Sequence, residues 1–110
     1  MFVKHPADPT NEARIRWWFV RDASKEVIGT GCSMEIQDRD EDGVLGYMPV
    51  ATAITTLAPQ DQHCRWLGRK YALGVLLRQV KSKVIRAACW KEFFSQWPVP
   101  NHLRGPYSGR

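Results

Sequence analysis

The sequence predicts an α+β domain in which a three- or four-stranded antiparallel sheet is followed by an αα-hairpin packed on one face. Two observations support this prediction. Residues 14–57 alternate apolar and polar side chains between turn-forming runs, which is typical of strands. Residues 61–97 repeat apolar side chains at helical spacing on both sides of one short break. The 110 residues have the length of one domain, at residues 1–97, with a Pro/Gly-rich basic tail at 98–110.

The first predicted strand covers residues 14–22, and the prolines of residues 1–12 indicate an irregular lead-in before it. The strand alternates, and both of its faces carry apolar residues: Ile15, Trp17 and Phe19 on one, Trp18 and Val20 on the other. The second face of this predicted strand is therefore also partly apolar.

A short turn at residues 23–25 leads to the second predicted strand, at residues 26–37. The residues that share one face of this strand are Ile28, Thr30, Cys32, Met34 and Ile36. Gly29 and Gly31 lie on the opposite face, where they predict a bulge or a close backbone approach.

A hairpin turn is predicted at residues 38–43, which end in the turn-forming pair Asp42-Gly43. Carboxylates at alternate positions also suggest a calcium loop, but the twelfth position, where a bidentate glutamate would bind the ion, is Pro49. Strands rather than helices flank the turn, so the hairpin is favoured. Pro49 also interrupts the third strand, which leaves either one bent strand or two.

The first predicted helix begins near Asp61, whose side chain can accept from free backbone N–H groups of the first turn. Its apolar residues fall on two arcs: Trp66, Leu73, Leu76, Leu77 and Val80 on one, Cys64, Leu67, Tyr71 and Val75 on the other. Such a helix is expected to be central, between the sheet and a second helix. Gly68 and Ala72 form a small-residue stripe, over which a neighbouring backbone or aromatic ring is expected to approach closely.

Ser82 is the predicted N-cap of the second helix, at residues 83–97, and Pro98 ends that helix. The connection between the helices is short, which implies an antiparallel αα-hairpin. One arc of the second helix is largely aromatic, with Ala87, Trp90, Phe93, Phe94 and Trp97. We expect these rings to belong to the core rather than to a base-stacking surface.

Charge is distributed unevenly along the chain. The net charge is +5, but residues 1–60 sum to −3 and residues 61–110 to +8. The basic half is the helical half, which suggests a surface that meets an anion: nucleic acid, a nucleotide or an acidic protein face. A solvated basic helix without a partner is the alternative. The candidate binding residues are Arg65, Arg69, Lys70, Lys81, Lys83, Arg86 and Trp18. Of these, Arg65 and Arg69 are expected to be exposed for contact.

The residues that could support catalysis do not converge in the sequence. His5, His63 and His102 lie far apart, and the neighbours His63 and Cys64 would point about 100° apart on a helix. The three cysteines lack CxxC spacing, so we expect small buried hydrophobic residues in a reducing compartment rather than disulfides or a zinc site. We therefore predict no enzyme activity, no metal and no cofactor. The absence of a long apolar run predicts a soluble protein.

The segment LAPQDQHCRWLGRKYALGVLL, followed by RAACWKEFF, resembles a large group of small, mostly uncharacterised bacteriophage and prophage accessory proteins. Their recurring pattern is Pro-x-Asp-x-Phe, four residues, Gly-Arg-x-x-Ala-Leu and, after a break, an Arg with a Trp four positions later. It falls on Pro59, Asp61, Gly68, Arg69, Ala72, Leu73, Arg86 and Trp90, and His63 stands in place of the Phe. The resemblance covers about a third of the chain. It implies a phage-encoded protein that binds a host or defence component in the bacterial cytoplasm, and it supplies no catalytic residue or ligand.

Three binding hypotheses follow. The favoured one is an inhibitor of the counter-defence, host-takeover or anti-CRISPR kind, which binds a bacterial protein and exposes apolar residues such as Trp18 and Val20. The second is nucleic-acid binding through the basic helical hairpin and tail, with salt-sensitive affinity. The third is a nucleotide-signal site, in which arginines hold phosphates and Tyr71 or a tryptophan stacks on the base. None of them involves a membrane, and the sequence does not set the oligomeric state.

Overall fold

A computed structural model describes residues 1–39, 41–56 and 65–100. It contains a four-stranded antiparallel sheet followed by two helices, which confirms the predicted α+β architecture. The elements are β1 (Phe2–His5), β2 (Asp8–Arg21), β3 (Val27–Arg39), β4 (Leu45–Thr56), α1 (Arg65–Leu77) and α2 (Lys83–Gln96). The strands lie in the order β1-β2-β3-β4, so each pairs with its neighbour in sequence. Helix α1 packs against β3 and β4, and α2 lies near β1.

The first residues of the chain form a strand, and the prediction of an irregular lead-in is wrong. β1 pairs antiparallel with the early part of β2, with Val3 opposite Ala13. The backbone of Met1 extends this pairing, because its carbonyl accepts from the Ile15 N–H at 2.7 Å. Pro6 lies in the turn between the two strands, where its missing N–H removes no ladder hydrogen bond.

β4 is one strand that passes through Pro49 at a bulge. Pro49 lies opposite Glu35 and Ala51 lies opposite Met34, so Val50 is an extra residue on this side of the pair. A proline is compatible with this position because β4 is at the edge of the sheet, where one side of the strand donates to no neighbour.

Both long hairpins close where turns were predicted. Between β2 and β3, Asp22 accepts at Oδ1 from the N–H groups of Ser24 and Glu26, and Lys25 takes a positive φ of 68°. The hydrogen bond from the Ser24 hydroxyl and those from the backbone lower the pKa of Asp22. Between β3 and β4, Gly43 has a φ of 78°, a left-handed conformation that favours glycine.

The core lies between one face of the sheet and the helices. Its fully buried side chains include Ile15 and Cys32 from the sheet and Leu73 and Leu76 from α1. Alternation therefore places the predicted apolar face of β2 and β3 inward. Tyr71 is 56% exposed, so the predicted second apolar arc of α1 is wrong at this residue.

The small-residue stripe of α1 is buried, as expected for a close approach. Gly68 and Ala72 are both buried, and the Trp17 indole Nε1 donates to the Arg69 carbonyl at 3.2 Å. An aromatic ring of β2 therefore lies against this turn of the helix. The predicted cap Asp61 lies outside the described residues, as do His63 and Cys64 and the tail from residue 101.

Helix α2 begins at its predicted cap and carries the aromatic centre of the core. The Ser82 hydroxyl accepts from the Ile85 N–H at 3.3 Å. Phe93 is fully buried, and its ring centroid lies 5.4–6.1 Å from those of five other rings. Those five are Trp17, Trp66, Trp90, Phe94 and Trp97. The prediction that the aromatic arc belongs to the core is thus confirmed at its centre. Neither α1 nor α2 is long and apolar enough to cross a membrane.

Candidate binding surfaces

Within the described ranges, no helix packs on one face of the sheet, and an apolar patch lies on that face. The cross-strand register places Trp18 on β2, Gly31 on β3 and Ile54 on β4 in one row. Trp18 is 40% exposed and Ile54 is 61% exposed. We call these three residues, with Val20 beside them, the open-face patch.

The Trp18 ring lies against the sheet directly over Gly31, which has no side chain in its way. A Cβ built at Gly31 would overlap the indole and come within 2.5 Å of its Nε1 atom. The ring therefore occupies the space that any other side chain at position 31 would need. The predicted close backbone approach is found at Gly29, where the Thr55 carbonyl of β4 is the nearest group, whereas at Gly31 the group that approaches is the Trp18 side chain.

A polar strip lies next to the open-face patch on the same face of the sheet. Arg14 donates to Glu35 at 2.8 Å, and Arg16 lies 3.7 Å from the other carboxylate oxygen. The Arg14 guanidinium also lies 4.2 Å from the Tyr47 ring centroid, and the Tyr47 hydroxyl donates to Glu12 at 3.4 Å. The hydrogen bond from Arg14 lowers the pKa of Glu35. These contacts hold the side chains of the strip in place, so the open-face patch is bordered by a strip that carries both positive and negative charges.

The predicted cations of α1 lie over aromatic rings. Arg65 lies 5.5 Å from the Phe19 centroid, Arg69 lies 5.3 Å from that of Trp97, and Lys70 lies 5.4 Å from that of Trp66. Arg65 is exposed as predicted, whereas Arg69 and Lys70 are half-buried. Their side chains cover the edge of the aromatic core, in addition to any contact they make with a partner.

Of the three predicted cations at the helix connection, one holds the connection together and two are exposed to solvent. Arg86 donates through Nη1 to the carbonyls of Val80 and Lys81, which secures the end of α1 to the start of α2. Lys81 and Lys83 are exposed. Beside them, a shallow cleft of about 280 Å³ is lined by Gly74, Leu77, Arg78, Arg86 and Trp90.

The structure therefore separates the sequence-predicted residues into three places. Trp18 is on the open face, the first three cations are on α1, and the last three are at the helix connection. Sequence reasoning missed Ile54 and the polar strip. Trp18 and Ile54 lie in one row because β3 pairs with both of their strands, in the part of the chain that the structure describes. An alternating sequence pattern predicts the strands but not the register in which they pair, so it could not place these residues together.

A cavity and two thiols lie on the helix side of the sheet. The cavity has a volume of about 350 Å³ and is lined by Val3, His5, Asn11, Ala13, Met34, Ile36, Val50, Ala51, Gln79, Val80 and Ile85. None of its described lining residues is a lysine or arginine. Cys32 and Cys89 are free and buried, and burial raises the pKa of their thiols to about 12 and about 11. Within the described ranges, no three histidine, cysteine or acidic side chains are close enough to hold a metal ion.

Comparison with known proteins identifies no relative of this chain. No family model, no curated protein and no solved structure matches it.

Proposed function

We propose that this protein is a binding protein that contacts a bacterial protein through the open-face patch and so interferes with a host or defence system. The observation that carries the proposal is the position of Trp18, which is exposed in one row with Ile54, on the face of the sheet opposite the described helices. Tryptophan is enriched among the residues that dominate protein interfaces. The bacterial setting comes from the resemblance to phage accessory proteins.

The chemistry of the open face favours a protein over nucleic acid as its partner. Arg14 and Arg16 share one carboxylate, Glu35, so the positive charge next to the patch is partly offset. A backbone of phosphates would meet that carboxylate as well as the arginines. An apolar centre with a polar border is instead the common anatomy of a protein interface.

The packing of Trp18 also reduces the entropic cost of binding. An exposed tryptophan loses rotamer freedom when a partner covers it, and a ring already held against Gly31 has less freedom to lose. The patch is therefore organised before its partner arrives. The proposed role is recognition without catalysis, in the bacterial cytoplasm.

The test is a pull-down of the tagged protein from bacterial lysate, with and without nuclease and at two salt concentrations, followed by affinity measurements on the recovered partner. Trp18→Ala should weaken binding by about 30-fold, which corresponds to an interface residue worth about 2 kcal/mol. Tyr71→Ala is the matched control, because Tyr71 is an aromatic residue of α1 with 56% exposure. Equal affinities for the two variants would refute the use of the open face.

The helix connection supports a second candidate function, which is binding of nucleic acid or a nucleotide. Here Arg78 and Arg86 line a cleft with Trp90, and Lys81 and Lys83 are exposed beside it. In the same pull-down, nucleic-acid binding predicts recovered material that is lost with nuclease and high salt. Lys81→Ala with Lys83→Ala should then abolish recovery, and Trp18→Ala should leave it unchanged.

A further inference from the structure

β4 is a long edge strand without a single charged residue. Its 12 residues, LGYMPVATAITT, contain no Asp, Glu, Lys or Arg. Edge strands of monomeric proteins are commonly protected by charged side chains, particularly lysine, because their free backbone groups can pair with another strand. The other edge, β1, has only four residues and includes Lys4. Pro49 and its bulge interrupt the first half of β4, but the second half, at residues 51–56, has no charge, no proline and no bulge.

The backbone groups that β4 leaves unpaired can be identified from one contact. The Thr52 carbonyl accepts from the Gln79 side chain at 2.8 Å, so it points away from β3. Outward groups alternate along an antiparallel strand, so those of Ile54 and Thr56 also point away from β3. Within the part of the chain that the structure describes, nothing pairs with the N–H and C=O of Ile54.

We propose that a second copy of this chain pairs with β4 in antiparallel orientation, about a two-fold axis at Ile54. In this register Ile54 lies opposite Ile54 of the second copy, and Thr52 lies opposite Thr56. All three residues then have their outward backbone groups paired, and two four-stranded sheets become one. The pairing uses the same surface on both copies, so it closes as a dimer.

A second copy suits this edge for two reasons. Identical strands that carry no charge do not repel one another, even though the whole chain has a net charge of +5. The two-fold axis stands perpendicular to the sheet, so the open faces of both copies lie on the same side. The two Ile54 side chains, each 61% exposed, then cover one another between the two Trp18 rings.

Gln79 competes with this pairing at one position. Its side-chain amide occupies the Thr52 carbonyl, and Gln79 is exposed, so it can be released to water when a second strand arrives. Gln79→Ala is therefore expected to strengthen the dimer. Pairing does not depend on the proposed partner protein, and Trp18→Ala should leave the dimer intact.

Sedimentation equilibrium of the full chain tests the proposal. Wild type is expected to have the mass of two chains. Thr52→Lys with Thr56→Lys places like charges opposite each other at both ends of the pairing and should weaken the dimer by about tenfold or more. Thr52→Lys with Thr56→Glu is the matched control, since the same register then places opposite charges together and should preserve the dimer. Thr52 and Thr56 are both exposed, so the monomer tolerates either pair of changes.

Ile54→Pro gives an independent test of the strand pairing itself. Proline removes the outward N–H of Ile54 and leaves the hydrogen bonds to β3 in place, so the variant should fold and remain monomeric. Circular dichroism checks the fold of each variant. A monomeric wild type at high concentration, or equal masses for the two charge variants, would overturn the proposal. Strand pairing with a different protein by a monomeric wild type would also overturn it.

Discussion

The contact between Trp18 and Gly31 makes a quantitative prediction for the substitution Gly31→Ala. The new methyl group would lie 2.5 Å from the indole Nε1, while ordinary contacts are about 3.5–4.0 Å, so the ring must move by about 1 Å or more. Overpacking of this kind costs about 1–3 kcal/mol, and alanine regains about 0.5–1 kcal/mol that glycine loses in a strand. The net expectation is a loss of about 1 kcal/mol in the free energy of unfolding.

The same substitution should have the opposite sign when Trp18 is absent. In a Trp18→Ala background the space above position 31 is free, so Gly31→Ala should stabilise the protein by about 0.5–1 kcal/mol. The coupling energy of the double-mutant cycle is then about 1.5–2 kcal/mol. Urea denaturation of the four proteins, followed by far-ultraviolet circular dichroism, measures it without relying on tryptophan fluorescence. An equal effect of Gly31→Ala in both backgrounds would refute the position assigned to the ring.

Three further predictions concern the core and the polar strip. Phe93→Ala should lower the free energy of unfolding by about 3–5 kcal/mol because Phe93 is fully buried among aromatic rings. The control is Phe94→Ala, since Phe94 is 41% exposed, and urea denaturation should show a loss less than half as large for this variant. Cys32 and Cys89 should resist iodoacetamide at neutral pH, since burial raises the pKa of their thiols to about 12 and about 11; peptide mass spectrometry should find both alkylated only after unfolding. Glu35 has a lowered pKa in the folded chain, so its stabilising effect is present above its ordinary pKa of 4.5 and is lost as the pH falls. Glu35→Gln should therefore flatten the acid side of a plot of melting temperature against pH, and an unchanged slope would contradict the ion pairs.

Sequence patterns predicted the strands and helices well where one face of an element enters the core. β2 and β3 alternate because one face packs on the helices, and Ser82 marks the start of α2 because its hydroxyl caps a backbone N–H. β1 was missed because four residues are too few to show a period. Its flanking Pro6 also suggested irregular structure, although it serves the turn of a hairpin.

The binding surfaces were harder to predict because they depend on contacts between residues far apart in sequence. The positions of Arg65 and Arg69 on a helix followed from the pattern, but the rings that they cover belong to β2 and to the end of α2. Arg86 was expected to meet a partner, and it secures the helix connection through two carbonyls. Residue types in a helix do not reveal such partners before the packing is known.

The energetic cost of Gly31 supports the proposed use of the open face as a binding surface. A glycine inside a strand lowers stability, and threonine or valine would suit position 31 better if no ring covered it. Trp18 likewise leaves 40% of its surface exposed on that face, at a position that a polar residue could occupy at no cost to the core. In the isolated chain, Gly31 therefore lowers the stability of the sheet and Trp18 exposes apolar surface to water. They are explained together if the open face has to present a flat, ordered aromatic surface to a partner.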